Sequence, residues 1–245
     1  MRGSIFTYGF WAIAGGLAIL CLPLLLLPGR GPAVWAVGVF AQLFRFWLRL
    51  CGVRITYRGL HHLDGLGPAI IAAKHQSYGD GLSHLARDSE LAYVIGDHML
   101  RFPVAGLYLK KAEAVVVDDA AGKRAAGAFD AGVARLAADG RPALIFPEGG
   151  LTKVGRGKRY RRGVWKLARA LERPVVPAAT NLGCFWPEQE RRLHPGEAVI
   201  EFLAPLTPGD DSRAFMAELE RVVETRTRAL EAEALAQRGE TPSPV

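Results

Sequence analysis

Residues 5–28, IFTYGFWAIAGGLAILCLPLLLLP, are apolar almost throughout and carry no charge. A straight helix rising ~1.5 Å per residue over that length could cross the ~30 Å hydrocarbon core of a bilayer. Gly15, Gly16 and Pro23 weaken such a helix, so the stretch is expected either to span with a kink or to dip into one leaflet and return. A signal peptide and a buried soluble helix are the competing readings. The run is long for a signal peptide, and no small-x-small cleavage site follows it. The next stretch, 33–53, is patterned differently. Gln42, Arg45 and Arg49 fall on one side at helical spacing, and Phe40, Leu43, Phe44, Trp47 and Leu50 cover much of the rest. That predicts an amphipathic helix with aromatics and arginines at headgroup depth, or an ordinary amphipathic helix packed on a domain.

From residue 54 the pattern alternates. RITYRG, AIIAA, AYVI, AVVV, ALIF, PVVPA and AVIEFL read as strands, and helical stretches lie near 79–88, 98–110, 121–139, 161–171 and 212–237. Alternation of this kind predicts an α/β domain with a mixed, mostly buried sheet flanked by helices. The chain then divides into an N-terminal two-helix membrane-associated anchor (1–53), the α/β domain (54–237) and a polar, Pro-rich tail (238–245).

With 245 residues, half of them hydrophobic, the chain can build one substantial domain with a full core. Its net charge of +7 suits an anionic partner: membrane lipids, an acidic carrier protein, a phosphorylated substrate or nucleic acid. No aromatic-basic platform or recognition motif accompanies the charge, so nucleic acid is not expected as a partner. Cys21, Cys51 and Cys184 are odd in number and far apart, which gives no disulfide or metal framework and suits reduced thiols facing the cytosol. Arg30, Arg45, Arg49, Arg54 and Arg58 follow the apolar segment, and only Arg2 precedes it. That bias predicts an inner (cytoplasmic) membrane location with the domain on the cytoplasmic face.

Two strand ends carry candidate chemistry. In AAKHQSYGDG, residues 72–81, an apolar strand gives way to His75, and Asp80 stands five positions on. A turn into a helix near Ser77 can return the carboxylate to one ring nitrogen. That fixes the tautomer and leaves the other nitrogen able to take a proton from a hydroxyl. The plainer alternative is a helix-start histidine with an aspartate in the first turn. In FPEGG, residues 146–150, Glu148 ends an apolar run, and backbone amides near Gly149 and Gly150 are candidates to receive an anion. Parallel strands present their carboxyl ends on one edge, where these two groups can converge. His84 and Asp88, four apart, read as a partly solvated charge pair in preference to a metal pair, and no metal site is predicted. Trp186 and Lys110–Lys111 are expected at the surface or membrane edge. Met99, Leu100, Phe102 and Leu107 are expected in the core or along an acyl channel.

Four blocks, in order, resemble the glycerolipid acyltransferases, and among them the bacterial 1-acylglycerol-3-phosphate acyltransferases. KHQSYGD is similar to the His-x4-Asp block. RFPVAGLYLKKAEAVVVDD is similar to the second, with Pro103 and Gly106 in its Pro-x-x-Gly and Asp118 at its end. FPEGG is similar to Phe-Pro-Glu-Gly-Thr-Arg, and VVPAATN to the fourth, with Pro177 in place. The resemblance implies that His75 is the base, oriented by Asp80, that deprotonates an acceptor hydroxyl. The alkoxide then attacks the thioester of acyl-CoA or acyl-carrier protein, with no other cofactor. It implies that Glu148 and Gly149 position the acceptor and that Pro177 shapes a pocket.

The chain departs from the family on the acceptor side. Gly150 and Leu151 replace the Thr-Arg, Asp119 replaces the block-two Arg, and Asp97-His98 stand where Lys-Glu is usual. In the family those basic residues are associated with the acceptor's phosphate, and losing a bidentate arginine is a large change. The run LTKVGRGKRYRR, residues 151–162, supplies other cations. It is read three ways: as a replacement phosphate contact through Lys153 or Arg156, as a dock for anionic headgroups or an acidic carrier protein, or as a solvated loop. The expected function is acyl transfer to the sn-2 hydroxyl of 1-acylglycerol-3-phosphate, forming phosphatidic acid. The alternatives are a lysolipid with another head, such as an amino acid, and a non-catalytic paralogue that binds lipid or acyl-carrier protein.

Overall fold

The computed structural model describes residues 2–117, 123–187 and 193–239. Asp118, Asp119 and the tail beyond residue 239 lie outside them. The apolar runs form seven strands: β1 (Val53–Arg58), β2 (Ile70–Ala73), β3 (Ala92–Gly96), β4 (Val115–Val117), β5 (Ala143–Ile145), β6 (Val175–Thr180) and β7 (Gly196–Phe202). The helices are α1 (Arg2–Leu20), α2 (Gly31–Leu50), α3 (Asp80–Arg87), α4 (Ala105–Lys111), α5 (Lys123–Asp139), α6 (Gly163–Leu171), α7 (Leu182–Phe185) and α8 (Ser212–Gln237).

The strands make one sheet in the order β1-β7-β6-β2-β5-β3-β4. All neighbours pair in parallel except β6 and β7, so the sheet is mixed, as expected. Strands β2, β5 and β6 are buried along their whole length, which explains their uninterrupted apolar sequences. Side chains alternate between the faces. Ile70 and Ala72 join Leu136, Val164, Leu167, Leu219 and Val223 under α5, α6 and α8. Ile71 and Ala73 join Ala41, Leu85 and Ala86 under α2 and α3. Parallel pairing of β2 with β5, Ala72 opposite Ile145, brings the chain at His75 beside the chain at Glu148.

The uncharged N-terminal stretch is not one straight helix. Helix α1 runs through Gly15 and Gly16 but ends at Leu20, and a 3-10 turn, Leu22–Leu26, carries Pro23, whose ring cannot continue an α-helix. Among the described residues α2 is the helix long and apolar enough to cross a membrane. One face of α2 is nevertheless committed to the domain through Ala41, Phe44 and Leu48, while Trp35, Leu43, Phe46 and Leu50 are exposed. Helix α1 is tied down too: Phe6 is fully buried, and Trp47 donates its indole N–H to Phe6 O at 3.2 Å. Trp186, expected at the surface, is buried because Phe6, Phe10 and Phe44 surround it with ring centroids 4.9, 5.5 and 5.8 Å away. Phe102 and Leu107, expected in the core or a channel, are exposed instead.

Candidate active site

The turn after β2 is built around one carboxylate. Asp80 opens α3, and its Oδ2 accepts the backbone N–H groups of Gln76 and Ser77, each at 2.7 Å. The same oxygen lies 3.1 Å from His75 Nδ1. A chain reversal closed by Asp80 N donating to Ser77 O makes this five-residue return possible. Asp80 is 1% exposed, so its negative charge is held in a nearly dry setting beside the imidazole. The His75 ring stacks on Phe146 at 4.0 Å and 17°. Its side chain keeps 20% of its exposure, and Nε2 has no partner among the described residues. Tyr93 packs its hydroxyl against Gly81, and burial together with the Asp80 charge pushes that hydroxyl's pKa far up, so it stays neutral.

Glu148 faces inward. Its side chain is fully buried, and Oε1 accepts from Lys74 Nζ at 2.7 Å and lies 2.8 Å from Thr152 Oγ1. Oε2 accepts the backbone N–H of His75 at 3.0 Å. Thr152 completes the grip: its N–H donates to His75 O at 2.8 Å, and its Oγ1 lies 2.9 Å from the same oxygen. Glu148 therefore holds the His75 main chain and shows no free oxygen, in contrast to the expected acceptor wall. Lys74 is also wholly buried, donating to Glu148, to Glu224 Oε1 at 2.7 Å and to Arg156 O at 3.0 Å. Neither Lys74 nor Thr152 was singled out in the sequence. A lysine ending an apolar strand beside the histidine was the available signal.

The glycines after Glu148 differ from one another. Gly149 adopts φ +68 and donates its N–H to Phe146 O at 3.0 Å, so that amide is taken. A Cβ there would also run into the Arg161 guanidinium, 2.5 Å from Nε. The Gly150 N–H has no partner among the described residues. The cations touching this turn are Arg161 and Lys158, the latter donating to Leu151 O at 2.7 Å. The expected pair, Lys153 and Arg156, is exposed, and Arg156 enters the network only through its carbonyl. Pro177 lies inside β6 opposite Ala72 and is buried. Its missing N–H falls where the neighbouring chain leaves the ladder between Phe202 and Leu206, so no sheet bond is lost.

His84 corrects the expected charge pair. It is buried against the Phe202 ring, 5.8 Å between centroids, while Asp88 turns to Arg87 at 3.6 Å. Burial, with the Arg87 and His75 charges adding to it, pushes the His84 pKa down to about 3. The folded protein thus keeps His84 neutral where the unfolded chain protonates it near 6.5. Stability from this residue is complete above that pH and falls by about 1.4 kcal/mol per unit as pH drops toward about 3. A His84→Asn variant is expected to show a flatter fall in Tm between those limits, measured by thermal unfolding at a series of pH values.

The chain is similar to known proteins over much of its length. The profile of the Acyltransferase family matches residues 54–181. A 1-acyl-sn-glycerol-3-phosphate acyltransferase of Pseudomonas aeruginosa is 30% identical over 155 residues, which is 62% of this chain and 60% of that protein's length. The human 1-acyl-sn-glycerol-3-phosphate acyltransferase alpha is 25% identical over 210 residues, covering 83% of this chain and 73% of the human one. The crystal structure of the 1-acyl-sn-glycerophosphate (LPA) acyltransferase PlsC from Thermotoga maritima superposes with a TM-score of 0.72 at 19% identity, over 94% of this chain and 95% of that one.

Proposed function

The chain belongs to the acyltransferase family, and from that premise we propose that it moves a fatty acyl group from a thioester to the free hydroxyl of a lysolipid, with 1-acylglycerol-3-phosphate the leading acceptor. The observation that carries the reading is His75, with Nδ1 on the buried Asp80 and Nε2 unpartnered at the carboxyl edge of the sheet. Asp80 accepts a hydrogen bond from Nδ1–H and so fixes the tautomer. Nε2 then takes the acceptor's hydroxyl proton as the oxygen bonds to the thioester carbon. When the tetrahedral intermediate collapses, the C–S bond breaks and the imidazolium returns its proton to the leaving thiolate. The product is an ester and a free thiol, either CoA or carrier protein. The Gly150 N–H is the candidate donor for the oxyanion. The names of the Pseudomonas and human relatives favour the phosphate-headed acceptor.

One assay tests this: purified protein with acyl-CoA or acyl-carrier protein and a panel of lysolipids that includes amino-acid-headed ones. Leu151, standing where the family has arginine, is why the panel extends beyond phosphate heads. Transfer to lysophosphatidate above all others is expected. Preference for an amino-acid head would move the acceptor assignment, and lipid binding without transfer would favour a non-catalytic paralogue.

The outward faces of α1 and α2 support membrane seating, with the domain on the cytoplasmic side as the arginine bias indicates. Trp11 and Phe46 are 66% and 60% exposed, so they contribute little to the folded core. Changing both to serine is expected to lower partition onto anionic vesicles by about tenfold or more, with Tm unchanged. Flotation with vesicles measures it, and unchanged partition would remove these faces from membrane binding.

A further inference from the structure

Helix α8 lies outside the segment matched by the family profile, yet it reaches the residues on both sides of His75. Lys74 Nζ donates to Glu224 Oε1 at 2.7 Å. Gln76 Nε2 donates to Glu231 Oε1 at 2.5 Å. The loop after FPEGG is held by the same helix: Gly155 N–H donates to Glu231 Oε1 at 3.0 Å, and Tyr160 N–H to Glu220 Oε2 at 3.0 Å. The Tyr160 hydroxyl adds a bond to Glu224 at 3.1 Å. Lys74 and Gln76 are 0% and 1% exposed, Glu231 6% and the Glu224 side chain 13%, so water has little access to these contacts.

We propose that Glu224 and Glu231 are positioning residues for acyl transfer, holding the main chain on either side of His75 so that its ring stays on Asp80. The catalytic part rests on the transfer reading above. With both neighbours anchored, the His75 N–H keeps its bond to Glu148 and the Gln76 and Ser77 N–H groups keep theirs to Asp80. If either anchor is lost, the turn can shift within the site, and small misplacements of a reacting group have large effects on rate.

The test compares Glu224→Ala, Glu224→Gln, Glu231→Ala and Glu231→Gln in the full chain, with Glu218→Ala as control. Glu218 sits on the exposed side of α8, paired with Arg221. The alanine variants are expected to lose about tenfold in kcat, with KM for donor and acceptor within about twofold. Glutamine keeps an acceptor oxygen for Lys74 or Gln76, so those variants should recover most of the rate. Hydrogen exchange supplies a readout that needs no activity: the amides of His75, Gln76 and Ser77 should exchange faster in the alanine variants and like wild type in the glutamine ones. Unchanged kcat, a loss confined to KM, or unchanged exchange overturns the proposal. If wild type transfers no acyl group to any lysolipid, the functional reading falls, and the exchange data alone decide whether α8 holds the turn.

Discussion

His75→Ala is expected to lower kcat for acyl transfer by about 10²–10⁴-fold, the range a positioned general base supplies. KM should change little, because the ring contributes proton transfer more than ground-state binding. Among the described residues, neither His84 nor Asp80 is placed to take over the proton. His84, the nearest alternative in charge terms, is buried and its Nδ1 has no partner to pass a proton along. Asp80 Oδ2 already serves two amides and the ring, and Oδ1, though unpartnered, is buried away from the acceptor in a residue 1% exposed. The fold should survive: His75 keeps its backbone bonds to Glu148 and Thr152 whatever its side chain, and the Tm of the variant should lie close to wild type. Steady-state kinetics with thermal unfolding on the same preparation decides it. A rate within about tenfold of wild type would remove His75 as the base.

The fold was legible where burial on both faces writes continuous apolar runs. The strands lie at or within two residues of the stretches read as strands; β2, β5 and β6 are buried throughout and have no polar face to blur the pattern, whereas β1, with Arg54 and Arg58 exposed, carries a mixed one. The direction of β7 was not legible, since antiparallel pairing against β6 depends on the path between Asn181 and Gly196, and no period in the sequence reports it. The N-terminal pair was half legible. Apolar character was plain, but the sequence could not say that Phe6 and Phe44 would close over Trp186. Those partners come from three distant segments, and an aromatic next to a loop looks the same whether it meets a membrane or another ring.

The site divides along the same line. The His75–Asp80 contact spans one turn and follows from local spacing. Glu148 was found in the sequence as an acceptor-site residue, but its inward hold on the His75 main chain was not, because that depends on a counter-ion the local sequence does not name. That counter-ion, Lys74, is 74 positions away, and its other partner, Glu224, is 150 positions from Lys74. The basic loop was recognised by its charge, but which cations touch the glycine turn depends on how the loop is pinned to α8.

Lys74→Met is expected to be the most destabilising single change near the site. The ammonium has three protons and three acceptors: Glu148 Oε1, Glu224 Oε1 and Arg156 O, at 2.7, 2.7 and 3.0 Å. Methionine fills the volume but leaves the Glu148 carboxylate, whose side chain is fully buried, without a counter-charge. Removing one partner of a buried pair costs about 3–5 kcal/mol, chiefly from the charge left behind. At about 2–4 °C per kcal/mol for a chain of this size, Tm should fall by roughly 6–20 °C. Glu148→Gln should be milder, because Lys74 keeps Glu224 as a counter-ion, although the single amide oxygen can serve Lys74 or the His75 N–H and not both. The double variant, Lys74→Met with Glu148→Gln, should be more stable than Lys74→Met alone, since the wholly buried charge is gone and only Glu224, 13% exposed, still lacks its counter-ion. That ordering separates charge from packing. If lost packing around Lys74 were the whole effect, adding Glu148→Gln would lower Tm further. Lys74→Arg should not rescue the site, because a planar guanidinium with five donors cannot meet three acceptors arranged for an ammonium. The lysine beside the base is thus specified by its geometry as well as its charge, and thermal unfolding of the four variants measures both.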